Sequence, residues 1–544
     1  MATPEQLADE LLDLIFEGDP VRASIYGDRT RDDLLPDLSA AAEQSRRAQL
    51  EDVRRRAMAV DTEHAELEQR LTIAVVVHQA EAAIDRIDSR SVEYGINGSL
   101  FAPVSGLLGA LARVSVTDAD QARAFLRRLA AIPRFTETVV QRHREGLATG
   151  MLPVQPLVEE AVDQLDRLLA APGTDPLLEQ DMHGLDAERR ELLDEVVHPA
   201  LRRYRDVLAT EVAPASRPAD KPGLCWLPSG RDIYRRLVRS HTTTQRTPQE
   251  LHETGLRIGA DLRREYAELG ARALGVSDPA ELTERLRSDP ALRWRDADDL
   301  LTTARDAISR AEAAAPDWFG RLPSQGCEVR SIPPSSGRST GDYYTPPALD
   351  GSRPGIYFAA TDRAAERVRY TAEVIAFHEA VPGHHFQLTL AQELTGLPRL
   401  RRLLAINAYT EGWGLYTERL ADEMGLYSGD LARIGMVSED SLRAARLVVD
   451  TGIHEFGWSR QQAVDHMLEH TTLPPPEVAA EVDRYIQLPG QALSYMVGRL
   501  EIERIRAAAR DRLGADFDIR AFHDAVLGHG ALPLSTVDMV VASG

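Results

Sequence analysis

The stretch Phe377-His378-Glu379-Ala380-Val381-Pro382-Gly383-His384-His385 places a Glu directly behind one His and two more His a few residues on. Imidazoles one helical turn apart can reach a single metal ion, and a carboxylate beside the first points at a water on that metal. In the unbroken form of such a motif the second His stands four residues after the first, but here that position is Pro382. Upstream, Val368, Thr371, Ile375 and His378 recur at helical spacing and predict a helix from near Asp362 that carries His378 on its buried stripe. Pro382 donates no backbone hydrogen bond and Gly383 relaxes the backbone, so the pair is expected to bulge the chain by about two residues and bring His384 into the missing place. His384 is then the second ligand, with His385 in reserve.

Two His leave a catalytic zinc one protein ligand short, because such sites hold three and keep a fourth position for water. The segment Tyr409 to Leu420 (YTEGWGLYTERL) reads as a helix that presents Glu411, Leu415, Glu418 and Asp422 along one face. Glu411 follows His384 by enough chain for one helix to finish, turn and return antiparallel, which makes it the expected third ligand. Glu418, two turns on, is placed to orient a ligand His from behind. A lone His-Glu pair on a helix is ordinarily a solvated or core pair, and a lone helical Glu is ordinarily surface. The combination of His-Glu, Pro-Gly and His-His with a Glu-Gly-Trp-Gly helix is what points to a metal.

The rest of the chain reads as helix almost throughout. From Glu5 to Glu211, runs of Ala, Leu, Glu and Arg recur with helical spacing, as in Leu67 to Asp85 and Ala119 to Ile132, and predict an N-terminal helical lobe over 1–213. A Pro-rich stretch from Pro214 to Pro228 interrupts it, and Gly230 to Tyr234 opens a second helical region reaching about Asp317. Within 214–544, Pro, Gly and Ser cluster between Leu322 and Pro354. Cys327 to Ile332 alternates and Gly355 to Ala359 is apolar and aromatic, so both predict strands of a small sheet at about 326–360. Such a sheet beside a zinc helix offers either an edge near Tyr357 for an extended substrate or a hairpin that only packs against helices. Tyr343 and Tyr344 are candidates for lining a cleft.

At 544 residues the chain can bury an extensive core. Two cysteines, Cys225 and Cys327, exclude a disulfide scaffold, and neither an apolar leader near Met1 nor a bilayer-length run is visible, which favours a cytoplasmic location and no membrane partner. A formal charge of −22 argues against nucleic acid.

The segments His378 to Gln387 (HEAVPGHHFQ) and Glu411 to Glu418 (EGWGLYTE) resemble the bacterial domain of unknown function 885 family, whose members are regarded as zinc metallopeptidases. Arg446 to His454 (RLVVDTGIH), Pro489 to Gly498 (PGQALSYMVG), Phe522 to Leu534 (FHDAVLGHGALPL) and Asp19-Pro20 through Tyr26-Gly27-Asp28 extend the resemblance over nearly the whole chain. In that family pattern His384 is the regular member of the pair and the position of His385 varies. More distantly the arrangement is similar to the thimet oligopeptidase and angiotensin-converting enzyme type of helical zinc peptidase, which uses two His, a distant Glu and a Tyr. That likeness implies a mainly α, two-lobed zincin-like fold around a deep cleft.

The reading that follows is a zinc-dependent hydrolase of short peptides, monomeric or homodimeric. Zn2+ is held by His378, His384 and Glu411, and Glu379 acts as the base that activates water. The family resemblance makes Tyr495 the first candidate for the donor to the oxyanion, ahead of His454 and Tyr485. Arg446 and Asp450 stand four apart on an apparent helix and could simply pair. Alternatively Arg446 or Arg499 holds a substrate carboxylate, which suits a dipeptidase or carboxypeptidase; Tyr485 and Tyr357 are further candidates for substrate contacts. His466, His470, His523 and His529 lack ligand partners at useful spacing and read as structural. The rival readings are hydrolysis of a non-peptide amide or aminoacyl conjugate by the same metal, and a helical binding protein with a structural or lost metal.

Overall fold

The computed structural model describes residues 2–98, 102–332, 341–348 and 353–543. It is mainly α-helical with a single small sheet among those residues. Local chemistry starts the helices where the sequence provides it. Thr3 caps the Pro4–Gly18 helix and Thr247 the Pro248–Leu274 helix, each in a reciprocal capping box with Pro at the first helical position. Asp118 and Asp296 cap the Ala119–Thr149 and Ala297–Trp318 helices in the same sense, satisfying orphan N–H groups with a side-chain oxygen.

Three apolar clusters hold the helices together. The largest runs from Leu7, Leu11 and Phe16 through Leu71 and Val76 to residues of the C-terminal half such as Trp413, Leu447 and Ile502. A second gathers Val21 and residues between Ile96 and Val212, and a third seats Val154 and Leu157 against Val449, Met467 and Tyr485. Residues 1–213 are therefore shared among all three cores: the helices Pro4–Gly18, Ala40–Met58 and Leu67–Asp88 pack with the C-terminal half, most apolar residues from Ile96 to Val212 form a core with Val21, and Val154 and Leu157 join the third.

The Asp430–His454 helix is buried on nearly every side from Ile434 onward, and it forms the axis against which the Pro248–Leu274 helix packs. A helix enclosed in this way must be apolar or pair its charges all round. Its buried Arg446, Asp440 and Asp450 are accordingly partnered by neighbouring elements, and its buried Arg443 by Glu439 one turn back on the same helix. A second close crossing joins the Asn407–Glu423 and Ser494–Leu513 helices. A Cβ on Gly412 would meet the Gly498 Cα at 2.4 Å, so glycine at both places allows the backbones to touch.

The sheet has three strands: β1 (Cys327–Ser331), β2 (Tyr343–Thr345) and β3 (Gly355–Ala359). Their order is β1-β3-β2, with β1 parallel and β2 antiparallel to β3, and Tyr357 opposite both Val329 and Tyr344. The strands anticipated at Cys327 and Gly355 are present, and Tyr343–Thr345 adds one that its short run did not announce. Because β3 is central, Tyr357 does not lie on an edge; its ring is buried and its hydroxyl donates to Asp342 Oδ2 at 2.8 Å. The loop-like region expected from Leu322 to Pro354 falls partly outside the described residues. Among the described residues no helix is long and apolar enough to cross a membrane.

Candidate metal centre

The helix carrying His378 begins at Ala372 and stops at Glu379, with a 3-10 turn at Ala364–Glu366 where a longer helix was expected. The chain then breaks rather than bulges. Ala380 to Gly383 form a turn containing a cis Val381–Pro382 bond, and a new helix starts at His384 and runs to Glu393. Gly383 lies so close to the preceding turn that a Cβ there would fall 1.9 Å from the His378 carbonyl oxygen. Two contacts sew this turn to the Asn407–Glu423 helix: Trp413 Nε1 donates to the Pro382 carbonyl at 2.9 Å, and Thr417 Oγ1 donates to the Phe377 carbonyl at 3.3 Å.

The result brings His378, His384 and Glu411 together, with one donor atom of each within 4.8 Å of the others. His378 Nε2 lies 3.8 Å and His384 Nε2 3.5 Å from Glu411 Oε2, and the imidazole planes are nearly perpendicular at 86°. Ligands about 2.1 Å from a tetrahedral ion stand roughly 3.4 Å from one another, so the two His–Glu spacings are close to those that a zinc-sized ion requires. Two imidazoles and a carboxylate are also a donor set that zinc accepts. Gly414 has a part in this: a Cβ there would come within 2.7 Å of the His378 ring, which lies flat against the helix backbone only because the side chain is absent. The Glu-Gly-Trp-Gly run thus supplies a donor, a helix contact, a clamp on the Pro-Gly turn and a seat for the imidazole.

Behind His378, Nδ1 donates to Glu418 Oε1 at 2.7 Å, so Nε2 is the nitrogen that faces the cluster. Burial lowers the proton affinity of the His378 imidazole, but hydrogen bonds to Glu411 and Glu418 reverse this and hold its pKa up at about 10. Burial disfavours charge on Glu411 too, yet the two imidazoles beside it keep its carboxyl well below the usual carboxylate range. The Glu379 carboxyl is raised, chiefly by burial, with His384 and His378 opposing that shift. Glu418→Gln should leave the fold intact and weaken zinc affinity by about 10- to 100-fold in competition with a chelator, because the amide cannot match the carboxylate behind the imidazole. Unchanged affinity would remove Glu418 from any role in positioning His378.

His385 points the other way. Its Nδ1 accepts from the Tyr344 hydroxyl at 2.8 Å and its Nε2 donates to the Gln325 carbonyl at 2.9 Å, so both nitrogens are used in fixing the sheet to the helix. Asp422, on the expected acidic stripe, pairs with Arg433 at 2.6 Å.

The remaining candidates divide. Tyr495 lies beside the cluster, its ring stacked 6.4 Å from that of His378 and its hydroxyl accepting from Arg484 at 3.3 Å. His454 is fully buried between backbone groups: Nδ1 accepts from Leu224 N–H at 3.1 Å and Nε2 donates to the Tyr485 carbonyl at 3.0 Å. With both nitrogens committed, it has none left for a substrate. The Tyr485 hydroxyl donates to Glu481 and accepts from Arg446 Nε at 3.1 Å, in a fully buried position. Arg499 is tied to Asp440 and lies 3.4 Å from Glu503, so its guanidinium serves the core rather than a substrate. Arg446 does not pair with Asp450: it pairs with Glu481 at 2.8 Å, while Asp450 accepts from the Tyr234 hydroxyl and the Gly490 N–H. His523 bridges the Tyr416 hydroxyl and the Trp318 carbonyl, and His529 pairs with Glu68. Arg443 and Arg484 were not singled out by the sequence, because arginines at these helical positions look like surface charge until the fold buries them.

The chain aligns in full with two solved structures. A protein from Colwellia psychrerythraea, described as a candidate lipoprotein, shares 26% identity at a TM-score of 0.91 and is covered over 99% of its length. A protein of unknown function from Shewanella oneidensis, described in the same way, shares 17% identity at a TM-score of 0.80, with both chains fully covered. No curated protein matches the sequence. The family described as bacterial protein of unknown function (DUF885) matches residues 20–541, and the chain therefore belongs to it.

Proposed function

We propose that the protein is a zinc-dependent hydrolase of peptide bonds in short peptides. The observation that carries this reading is the convergence of His378 Nε2, His384 Nε2 and a Glu411 oxygen at ligand spacing, with Glu418 behind one imidazole and Glu379 next in sequence to it. A zinc ion held by these three residues supplies Lewis-acid polarisation of a carbonyl and makes water acidic enough to attack near neutral pH.

The chain's own groups account for the rest. Glu418 holds His378 with Nε2 toward the cluster, and the orientation of its ring is set by Gly414. Glu379 takes a proton from the attacking water and returns it to the leaving nitrogen, so that one water is consumed and one acid and one amine are formed. Tyr495, stacked beside His378, is the phenol assigned to stabilising the developing oxyanion, and Arg484 at its hydroxyl favours the negative charge that collects there.

The test is a metal titration joined to a substrate panel. Protein stripped by chelator should be inactive, recover with about one zinc per chain, and cleave peptides of roughly two to fifteen residues faster than casein-sized proteins, a range set by extended chain dimensions. Cleavage of simple acyl amides but of no peptide would transfer the reading to a non-peptide amide hydrolase. Absence of zinc binding would overturn both.

A further inference from the structure

Three guanidinium groups gather around Tyr495. Arg446 and Arg443, from the Asp430–His454 helix, hold their Cζ atoms 4.7 and 5.6 Å from the ring centroid. Arg484, from the Pro475–Gln487 helix, donates to the Tyr495 hydroxyl. The first two side chains are only 5% and 10% exposed, while Arg484, at 30%, is the member that solvent reaches. Burying a guanidinium is costly unless each N–H finds an acceptor.

Here the acceptors run short. Glu481 is shared by two of the three, taking Arg446 through Nε at 3.1 Å and through an amino group at 2.8 Å, and lying 3.4 Å from Arg484. Glu439 pairs with Arg443. Glu418 lies 3.9 Å from Arg443, but that same oxygen is already committed to His378. One terminal nitrogen of Arg446 and the Nε of Arg443 are buried with no acceptor among the described residues. The group that fits unpaired, planar N–H donors is a carboxylate, which receives two of them side by side.

The position of the cluster relative to the metal centre gives the carboxylate its meaning. The Tyr495 ring lies 6.4 Å from the His378 ring and 4.7 Å from the Arg446 guanidinium. These two spacings put the guanidinium no further from the imidazole than about three extended residues at roughly 3.4 Å each can span. We propose, resting on the peptidase reading above, that Arg446, Arg443 and Arg484 form a carboxylate pocket for the C-terminus of the substrate, so that the enzyme removes one to three residues from the C-terminal end. Tyr495 would then stand beside both the pocket and the scissile bond.

The test compares one acetylated tetrapeptide in three forms: free C-terminal acid, C-terminal amide, and amide with Glu as the last residue. Zinc-loaded protein should cleave the acid form about 10- to 100-fold better in kcat/KM than the plain amide, mostly through KM, as expected for loss of a charge-assisted pair. Arg484→Met and Arg446→Met should each shrink that ratio toward one; Arg484 is partly exposed, so its variant guards against a failure of Arg446→Met to fold. Calorimetric binding of a dipeptide acid and its amide to the zinc-loaded protein repeats the comparison without turnover. Equal handling of acid and amide in both measurements overturns the pocket whether or not peptides are cleaved. A preference for acid in binding, with no cleavage of any peptide, upholds the pocket and overturns the peptidase reading. A Glu-amide peptide that performs as well as the free acid assigns the cluster to an acidic side chain and overturns the C-terminal assignment.

Discussion

Glu379→Gln should retain zinc and lose activity by about 10²- to 10⁴-fold in kcat, the range over which a positioned general base contributes. The amide is nearly isosteric with the carboxylate and can still occupy the buried position, but it can neither accept the proton of the attacking water nor return one to the leaving nitrogen. Because Glu379 stands outside the group of three convergent donors, metal content should stay near one zinc per chain. The pairing of intact metal with lost turnover is what distinguishes a base from a ligand. Zinc lost together with activity would make Glu379 part of the metal's own support, and activity within a few fold of the parent would leave the attacking water without an identified base.

The second large effect separates two adjacent residues. His384→Ala should lose most of its zinc, because two donors remain of the three that a closed set requires. His385→Ala should keep its zinc and lose stability instead. It removes a fully buried ring bonded to Tyr344 and to the Gln325 carbonyl and leaves both of those groups unsatisfied, a change worth roughly 1–3 kcal/mol for each buried partner. Metal analysis and thermal denaturation of the two variants read these outcomes independently. Zinc lost only from His385→Ala would place the metal on the sheet side of the Pro-Gly turn and dismantle the site.

Much of this site was legible because its signals are short in sequence. Periodicity put His378 on a buried stripe, the missing turn position pointed to His384, and the helical face from Glu411 to Asp422 supplied both a donor and Glu418 for the back of an imidazole. The path of the chain was less legible. Helical spacing cannot distinguish a bulge from a stop and restart, and here the backbone ends one helix at Glu379 and begins another at His384. Gly414 was quoted with its motif, but its use depends on an imidazole 36 positions upstream, a contact that no local pattern carries.

Where sequence reasoning went astray, the fold had spent a polar group elsewhere. His454 is occupied by two backbone groups, Arg499 by Asp440, and Tyr357 by Asp342, and each partner lies on a different element. Strand order has the same character: three residues of β2 pair with β3 and turn it from an edge into the centre of the sheet. The division of the first 213 residues among three cores was hidden for a similar reason, since their amphipathic helices show the same period and differ only in what they meet.

The most direct measurement is anomalous diffraction at the zinc absorption edge from crystals of zinc-loaded protein. One peak per chain is expected, with His378 Nε2, His384 Nε2 and a Glu411 oxygen at about 2.0–2.2 Å and no contact from His385. A peak ligated by His385, a peak elsewhere on the chain, or no peak after loading would contradict a metal-centred hydrolase.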